Sequence, residues 1–254
     1  MNIAFISAVL PVALLLLFIY RKDRLNPEPL GKLLLTFFVG CLSVIPAVLL
    51  ESVLTPLGPD AATAPVLNGV FTGYIVAGFS EELVKLLLLL WVIWNSRHFD
   101  EYFDGIVYAA FLSLGFACVE NIGYVLGGDA PMGTALMRGL LAVPAHFLFA
   151  VTMGYYVSLA KFDPAGRTGH LCKALLYPVL LHGTYDALLM VSSNISGIDS
   201  MLSTGLTVVL FVLFVVFDVR LWRRGLRRIK RMQERSREQD CDHLRPFDGF
   251  TWNI

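Results

Sequence analysis

Two adjacent carboxylates and a lysine interrupt an apolar stretch in the first half of the chain. Glu81, Glu82 and Lys85 lie within the run 66–94, which as one helix can cross a hydrocarbon core of about 30 Å. At i+4 from one glutamate and i+3 from the other, the lysine can reach either carboxylate. Placing one charged side chain at the centre of a membrane helix costs about 2.5 to 3.5 kcal/mol of insertion free energy. We therefore expect these groups to be paired, to be hydrated or to have a function. The chemistry they could perform is general acid and base catalysis on water.

Ionisable residues also occur in the next three apolar runs. They are Glu120 in 105–126, His146 in 135–160, and His182 with Asp186 in 172–192. His182 and Asp186 share one helix face, and a carboxylate beside a histidine fixes its tautomer and raises its basicity. Four consecutive runs thus carry such groups at a similar depth, which predicts one shared, water-filled cavity.

Other polar residues have simpler interpretations. Glu51, near the end of its apolar run, is expected to be an interfacial carboxylate. The polar turn 95–104, which contains several acidic residues, is expected to be solvated. The loop 26–29, Asn-Pro-Glu-Pro, is expected to be a rigid turn without chemistry. Ser80 adjoins the glutamates, but its surroundings do not resemble a nucleophile elbow.

Composition assigns the chain to the integral membrane proteins. It has 254 residues, of which 56% are hydrophobic and 16% charged. Seven apolar runs are candidate spans: 3–20, 33–54, 66–94, 105–126, 135–160, 172–192 and 201–219. The predicted fold is therefore an all-α, polytopic membrane helix bundle with about seven transmembrane spans.

The distribution of basic residues predicts the orientation of the bundle. If the spans alternate, every Lys and Arg in a loop or tail falls on one side, and only Lys85 and Arg138 lie within spans. The positive-inside rule then places the N-terminus outside and the C-terminus inside. The basic cluster at 21–24 follows the first run, which favours a span over a cleaved signal peptide.

Two domains are expected. Residues 1–219 form the membrane domain, and 220–254 form a basic juxtamembrane helix and cytoplasmic tail. The basic segment 220–237 is typical of a helix lying on anionic lipid, so nucleic acid is not required as a partner. The four cysteines show neither a disulfide framework nor a CxxC metal motif.

Four motifs in order resemble those of a known family, the PrsW intramembrane proteases, over about 66–190. They are FSEELVK at 79–85, DGIVY at 104–108 followed by GFACVEN at 115–121, His146, and HGTYD at 182–186. The related CAAX prenyl proteases carry His where Glu120 stands and commonly Asn where Asp186 stands. These two departures favour the PrsW family.

The resemblance implies peptide-bond hydrolysis in or near the cell membrane. PrsW-type members cut membrane-tethered anti-sigma factors in the first step of a signalling cascade, so a single-span membrane protein is the expected substrate and the bilayer the expected environment.

The residue types indicate roles for the seven candidate catalytic residues. Glu81 or Glu82 is expected to activate water, while Lys85 holds the other glutamate ionised. Two histidines would orient the water and stabilise the oxyanion, and a carboxylate would orient one of them. These residues are His146, His182 and Asp186.

The residue types also allow a metal-assisted mechanism of hydrolysis. His146, His182 and Glu120 offer a three-ligand set for zinc or another divalent cation, with a free position for water. The chain lacks an HExxH motif, so the metal hypothesis depends on residue type alone. The sequence leaves open whether a metal takes part.

Two other classes of function share some of these features. A proton- or ion-coupled transporter or channel also buries Glu, His, Asp and Lys along a pathway, but the charged pattern shows no internal repeat, which many carriers have. A non-catalytic scaffold or immunity protein would not need all four motifs intact.

Overall fold

The protein is all-helical throughout the part that its computed structural model describes, residues 2–24, 26–196 and 201–244. The α-helices are α1 Asn2–Lys22, α2 Leu30–Leu54, α3 Pro65–Phe71, α4 Ser80–Ile93, α5 Asp104–Gly127, α6 Pro131–Leu140, α7 Ala142–Phe162, α8 Arg167–Ser196 and α9 Met201–Leu244. A 3₁₀ turn, Thr55–Leu57, follows α2, and a π-helical segment, Thr72–Phe79, joins α3 to α4. The predicted all-α fold is confirmed.

Within the described ranges, six helices are long and apolar enough to cross a membrane. They are Ile3–Lys22, Leu30–Leu57, Asp104–Gly127, Pro131–Phe162, Arg167–Ser196 and Met201–Cys241. The remaining candidate is the continuous rod of α3, the π-helical segment and α4, which contains Glu81, Glu82 and Lys85. The count of seven spans and their orientation stay predictions.

Two helices, α5 and α7, form the centre of the bundle. Both are buried on nearly all sides, whereas α1, α2 and α9 expose many large apolar side chains, as expected for helices that face lipid. Their close approach depends on glycine: a Cβ added to Gly154 would lie 2.2 Å from the backbone oxygen of Gly105. The two backbones therefore touch, which fixes the relative height of the residues that each helix carries.

The end of the bundle where α1 ends and α2 begins is called the basic end, because the basic loops lie there. At this end, lysines from two other helices satisfy the last carbonyls of α4. Lys32 Nζ donates to the oxygen of Val92 at 2.9 Å, and Lys161 Nζ donates to that of Trp94 at 2.6 Å. Cations at a helix C-terminus also complement its dipole. These contacts anchor α4, which carries the paired glutamates.

Helix α9 differs from the expected arrangement. The sequence predicted a separate basic helix after 219, but one helix continues from Met201 to Leu244. Ile229 and Met232 are buried in the core, and Gln233 Nε2 donates to the backbone oxygen of Lys22 at 2.7 Å. The segment 220–237, which was predicted to lie on lipid, is therefore partly covered by protein. The domain boundary at 219 stays a prediction, and the tail 245–254 lies outside the described residues.

The predicted span 135–160 is interrupted. Helix α6 ends at Leu140 and α7 begins at Ala142, with Leu141 between them at φ −118° and ψ −62°. Pro144 explains the break, because its ring conflicts with the carbonyl of the residue four positions earlier, Leu140. Arg138 and His146 therefore lie on separate helices.

Candidate active site

The π-helical segment packs closely on α8 and positions the paired glutamates. A Cβ added to Gly73 would lie 2.5 Å from the backbone nitrogen of Ala187, and one added to Gly78 would lie 3.0 Å from that of Gly183. The wider π turn is often found at functional sites, and it shifts the register of the helix that follows. As a result Glu81 and Glu82 in the first turn of α4 both lie inside the bundle, opposite His182 on α8.

Lys85 lies at the centre of the site. Its Nζ is 2.8 Å from Glu81 Oε2, 3.0 Å from Glu82 Oε1 and 3.4 Å from His146 Nδ1. The same ammonium lies 4.0 Å from the centroid of the Phe116 ring, a cation–π contact. Since an ammonium has three N–H donors, each faces one acceptor, and a fully buried charge is completely satisfied.

His182 bridges two carboxylates. Its Nδ1 is 2.9 Å from Glu82 Oε1, and its Nε2 is 3.1 Å from Asp186 Oδ2, one turn further along α8. The ring stacks on Phe149 with centroids 4.9 Å apart. Because both nitrogens face carboxylate oxygens, the partners assign the doubly protonated imidazolium form, in which both nitrogens donate.

His146 is held differently. Its Nε2 lies 2.8 Å from Glu120 Oε2, while its Nδ1 faces the ammonium of Lys85. Glu120 Oε2 is also 3.0 Å from Arg138 Nη2, and Arg138 Nε donates to Asn121 Oδ1 at 3.1 Å. These partners assign a neutral ring that donates through Nε2 and accepts through Nδ1. The two histidines, whose ring centroids are 5.2 Å apart, therefore have different charges.

A cavity of about 440 Å³ opens beside this network. Its walls come from the halves of α2, α5 and α8 that lie away from the basic end, and include Glu51, Tyr124 and Met190. Glu81, Glu120, both histidines and Asp186 also line it, but Glu82 does not, being only 1% exposed. The two adjacent glutamates thus differ in access: Glu81 faces the cavity, and Glu82 lies behind it.

The structure brings all seven candidate residues into one network: Glu81, Glu82, Lys85, Glu120, His146, His182 and Asp186. Sequence reasoning missed Arg138 as the partner of Glu120, although an arginine inside an apolar run was itself a signal. It also placed Glu51 at the interface, whereas the structure places it in the cavity wall. Asn121, adjacent to Glu120, is fully buried and donates to the backbone oxygen of Ala8 at 2.7 Å.

The zinc set expected from the sequence does not assemble as such in the part of the chain described. Ligand atoms of Glu81, Glu82, His146 and His182 lie within 4.8 Å of one another, but Glu120 is not in this group. Arg138 pairs with Glu120 and holds its carboxylate on the Nε2 side of His146.

Two carboxylates and two imidazoles are ligands that suit zinc. The Lys85 ammonium, however, lies within 3.4 Å of three of the four residues, where their ligand atoms converge. Because a second cation there would meet strong repulsion, this arrangement does not fit a metal at its centre.

The described residues form an apolar helix bundle in which a network of acidic and basic side chains lies beside a cavity, an arrangement suited to acid–base chemistry within a membrane. Comparison with known proteins gives the family. A family model described as PrsW family intramembrane metalloprotease matches residues 28–217, and the chain belongs to this family of intramembrane proteases. It is therefore a multi-pass cell-membrane enzyme, and the resemblance stated from the motifs is confirmed.

Three relatives, each called Protease PrsW, show how far the similarity extends. The Clostridioides difficile protein is 31% identical over 95% of this chain and 96% of its own length. The Bacillus subtilis protein is 37% identical over 90% and 95%, and the Geobacillus kaustophilus protein is 36% identical over 92% and 93%. No solved structure matches the chain.

Proposed function

We propose that the protein cleaves a peptide bond of a single-span membrane protein with water activated by Glu81. The observation that carries this assignment is the difference between the adjacent glutamates: Glu81 belongs to the charged network and lines the cavity, whereas Glu82 is buried behind it. A general base must be within reach of the water whose proton it accepts, so access decides between the two. An anti-sigma factor is the substrate type that the family resemblance supports.

The mechanism follows from the partners of each group. Water in the cavity attacks the scissile carbonyl carbon as Glu81 takes its proton, and the carbonyl oxygen becomes an oxyanion. His182 lines the same cavity, and the positive charge that its two carboxylate partners favour stabilises the oxyanion electrostatically. Asp186 orients the ring of His182, and Glu120 orients that of His146. Glu81 then gives the proton to the leaving amine as the carbon–nitrogen bond breaks. The Lys85 ammonium contacts both Glu81 and Glu82 and compensates their negative charge.

The test of the proposal is cleavage in cells. We would co-express the protein with a library of single-span membrane proteins and compare the wild type with Glu81→Gln. Products that appear with the wild type alone support the proposal, and the general-base role predicts a loss of about 10² to 10⁴ in rate. Identical product patterns for both proteins would contradict it and favour a transporter or scaffold.

We propose further that the positive charge in the site is supplied by Lys85 and not by a metal. The purified enzyme, depleted of metals with a chelator in detergent, should therefore keep its cleavage rate within about twofold. A loss of activity on chelation that zinc restores, together with one zinc per chain that is lost in His182→Ala, would refute this part of the mechanism.

The cavity position supports a cleavage site near the extracytoplasmic end of the substrate's membrane segment. The cavity lies in the half of the bundle away from the basic end, and the positive-inside rule assigns the basic end to the cytoplasm. A cysteine at Tyr124 or Met190 should then react with a membrane-impermeant thiol reagent added from outside. Exposed Cys172 and Cys241, near the basic end, are natural controls that should react only from the cytoplasmic side. The opposite labelling pattern would refute this orientation.

We also propose that anionic lipid binds at the basic end. Four arginines of α9 and two tyrosines of α7 line a cavity of about 400 Å³: Arg224, Arg227, Arg228, Arg231, Tyr155 and Tyr156. Clustered arginines at a membrane surface attract anionic headgroups. Phosphatidylglycerol should stabilise the wild type more than phosphatidylcholine does, and Arg227→Gln with Arg231→Gln should remove the difference. An equal effect of both lipids on the wild type would contradict this binding site.

A further inference from the structure

A second group of carboxylates, here called the end cluster, lies at the basic end of the bundle. It consists of Asp23, Glu28, Asp100, Glu101 and Asp104. The sequence predicted a solvated turn and a loop without chemistry, but Glu28, Glu101 and Asp104 are only 5%, 6% and 0% exposed. Carboxylate oxygens of Glu28, Asp100 and Asp104 lie within 4.8 Å of one another.

Backbone and side-chain donors hold this cluster in place. Asp104 Oδ2 accepts hydrogen bonds from the backbone nitrogens of Asp100 at 3.1 Å and Glu101 at 2.6 Å. Asp23 Oδ2 accepts from the backbone nitrogen of Glu28 at 3.0 Å, and the Tyr108 hydroxyl donates to the Glu28 carboxylate. These contacts fix the carboxylates close together, although like charges repel.

One carboxylate oxygen of the cluster has no N–H or hydroxyl donor beside it among the described residues. Asp104 Oδ1 is buried and accepts no hydrogen bond from the described atoms. Its residue is fully buried, and its carboxylate faces Glu28. A buried carboxylate oxygen left in this way is costly unless a ligand satisfies it.

The cluster also lacks a cation from the described part of the chain. Basic side chains, including Arg24 and Arg237, line a neighbouring cavity with Asp23 and Glu101. Within the described residues, however, no basic nitrogen lies within 4.0 Å of a carboxylate oxygen of the cluster. The described part of the chain thus places several carboxylates together without an ion pair to a basic side chain.

We propose that Glu28, Asp100 and Asp104 bind a hard divalent cation, with Mg²⁺ as the fitting ion. Three carboxylate residues supply the oxygen ligands that such ions prefer, and exposed Asp100 gives an entry for the ion and its remaining waters. The bound ion would tie the loop 23–29 to the first turn of α5. That helix also carries Glu120, so the ion would help to hold the active-site bundle together without taking part in the reaction.

The test is direct binding of Mn²⁺, which is visible by electron paramagnetic resonance, to the chelator-treated full chain in detergent. We expect one Mn²⁺ per chain, displaced by Mg²⁺. Asp104→Asn should abolish binding, and Asp100→Asn, an exposed position that leaves the backbone contacts intact, should weaken it at least about tenfold. Glu82→Gln in the active site and Asp60→Asn in an exposed loop should bind like the wild type.

A second readout is thermal stability. Saturating Mg²⁺ should raise the Tm of the wild type by about 3 to 6 °C and leave that of Asp100→Asn unchanged. Failure of the wild type to bind Mn²⁺ would overturn the proposal and indicate carboxyl groups that share a proton. Binding that is lost in Glu82→Gln but kept in Asp100→Asn would also overturn it, because the ion would then lie in the active site.

Discussion

The active site and the end cluster both gather buried carboxylates, but they are neutralised in different ways. In the active site Lys85 contacts Glu81 and Glu82, and Arg138 contacts Glu120, so the cations belong to the fold. No such contact reaches the end cluster within the described residues. Burial accordingly raises the pKa of Asp23 to about 6 and that of Glu28 to about 7.

Depth explains this difference. A cluster in the middle of a membrane has little access to ions from solution, so the chain itself must provide the compensating charge. The end cluster meets the aqueous phase through Asp100, which is exposed, and can take a proton or an ion from it. The comparison teaches that carboxylates deep in the bundle have cations built into the fold beside them, whereas a cluster at its end can depend on the solution.

The largest expected effect comes from removing the internal cation of the active site. Lys85→Met leaves the buried Glu81 and Glu82 with His182 as their remaining basic neighbour, which should lower the free energy of unfolding by about 3 to 5 kcal/mol and abolish cleavage. Thermal unfolding in detergent and the cleavage assay would measure the two effects. An active variant with wild-type stability would contradict the role assigned to Lys85.

A double variant sharpens this prediction. Adding Glu82→Gln to Lys85→Met removes one of the two carboxylates that have lost the ammonium, so the double variant should be more stable than Lys85→Met alone. It should stay inactive, because Glu81 still lacks the ammonium that contacts it in the wild type. Strict additivity of the two destabilisations would mean that the lysine and Glu82 are not coupled.

A smaller effect is expected at the other internal cation. Arg138→Gln removes the partner of Glu120, whose side chain is 20% exposed and can be partly hydrated. We expect a loss of about 1 to 3 kcal/mol in stability and about a tenfold loss in cleavage rate, because Glu120 still accepts from His146. Arg138→Lys should recover part of both. A loss as severe as that of Lys85→Met would show that both cations are equally essential.

The seven residues that assemble in the candidate active site could be found from the sequence because each is an anomaly in its apolar run. An ionisable group such as Glu120 or His146 in an apolar run has few explanations, and four such runs have fewer still. The contacts between these side chains could not be predicted from the sequence. Arg138 reaches Glu120 from α6, a helix separate from α7, and the different access of Glu81 and Glu82 depends on how the π-helical segment packs on α8.

The end cluster could not be predicted for the opposite reason. Acidic residues in a short polar turn are ordinary, and their burial is caused by distant parts of the chain. Ser236 Oγ accepts from the backbone nitrogen of Phe103 at 2.9 Å, and Gln239 Nε2 donates to the backbone oxygen of Asp100 at 2.7 Å. Both contacts come from the far half of α9, whose segment 220–237 the sequence predicted to lie on lipid.

The smallest expected effect would convert the end cluster into the arrangement of the active site. Asp100→Lys places an ammonium where the exposed carboxylate stood, within reach of Glu28 and Asp104, as Lys85 lies between its own two glutamates. Because the lysine is exposed, we expect it to stabilise the metal-free protein by only about 0.5 to 1 kcal/mol, and to remove the response to Mg²⁺. Asp60→Lys in an exposed loop makes the same charge change away from the cluster and should do neither. A destabilised Asp100→Lys protein that still responds to Mg²⁺ would show that the end cluster does not lack a cation, and the contrast between the two clusters would fail.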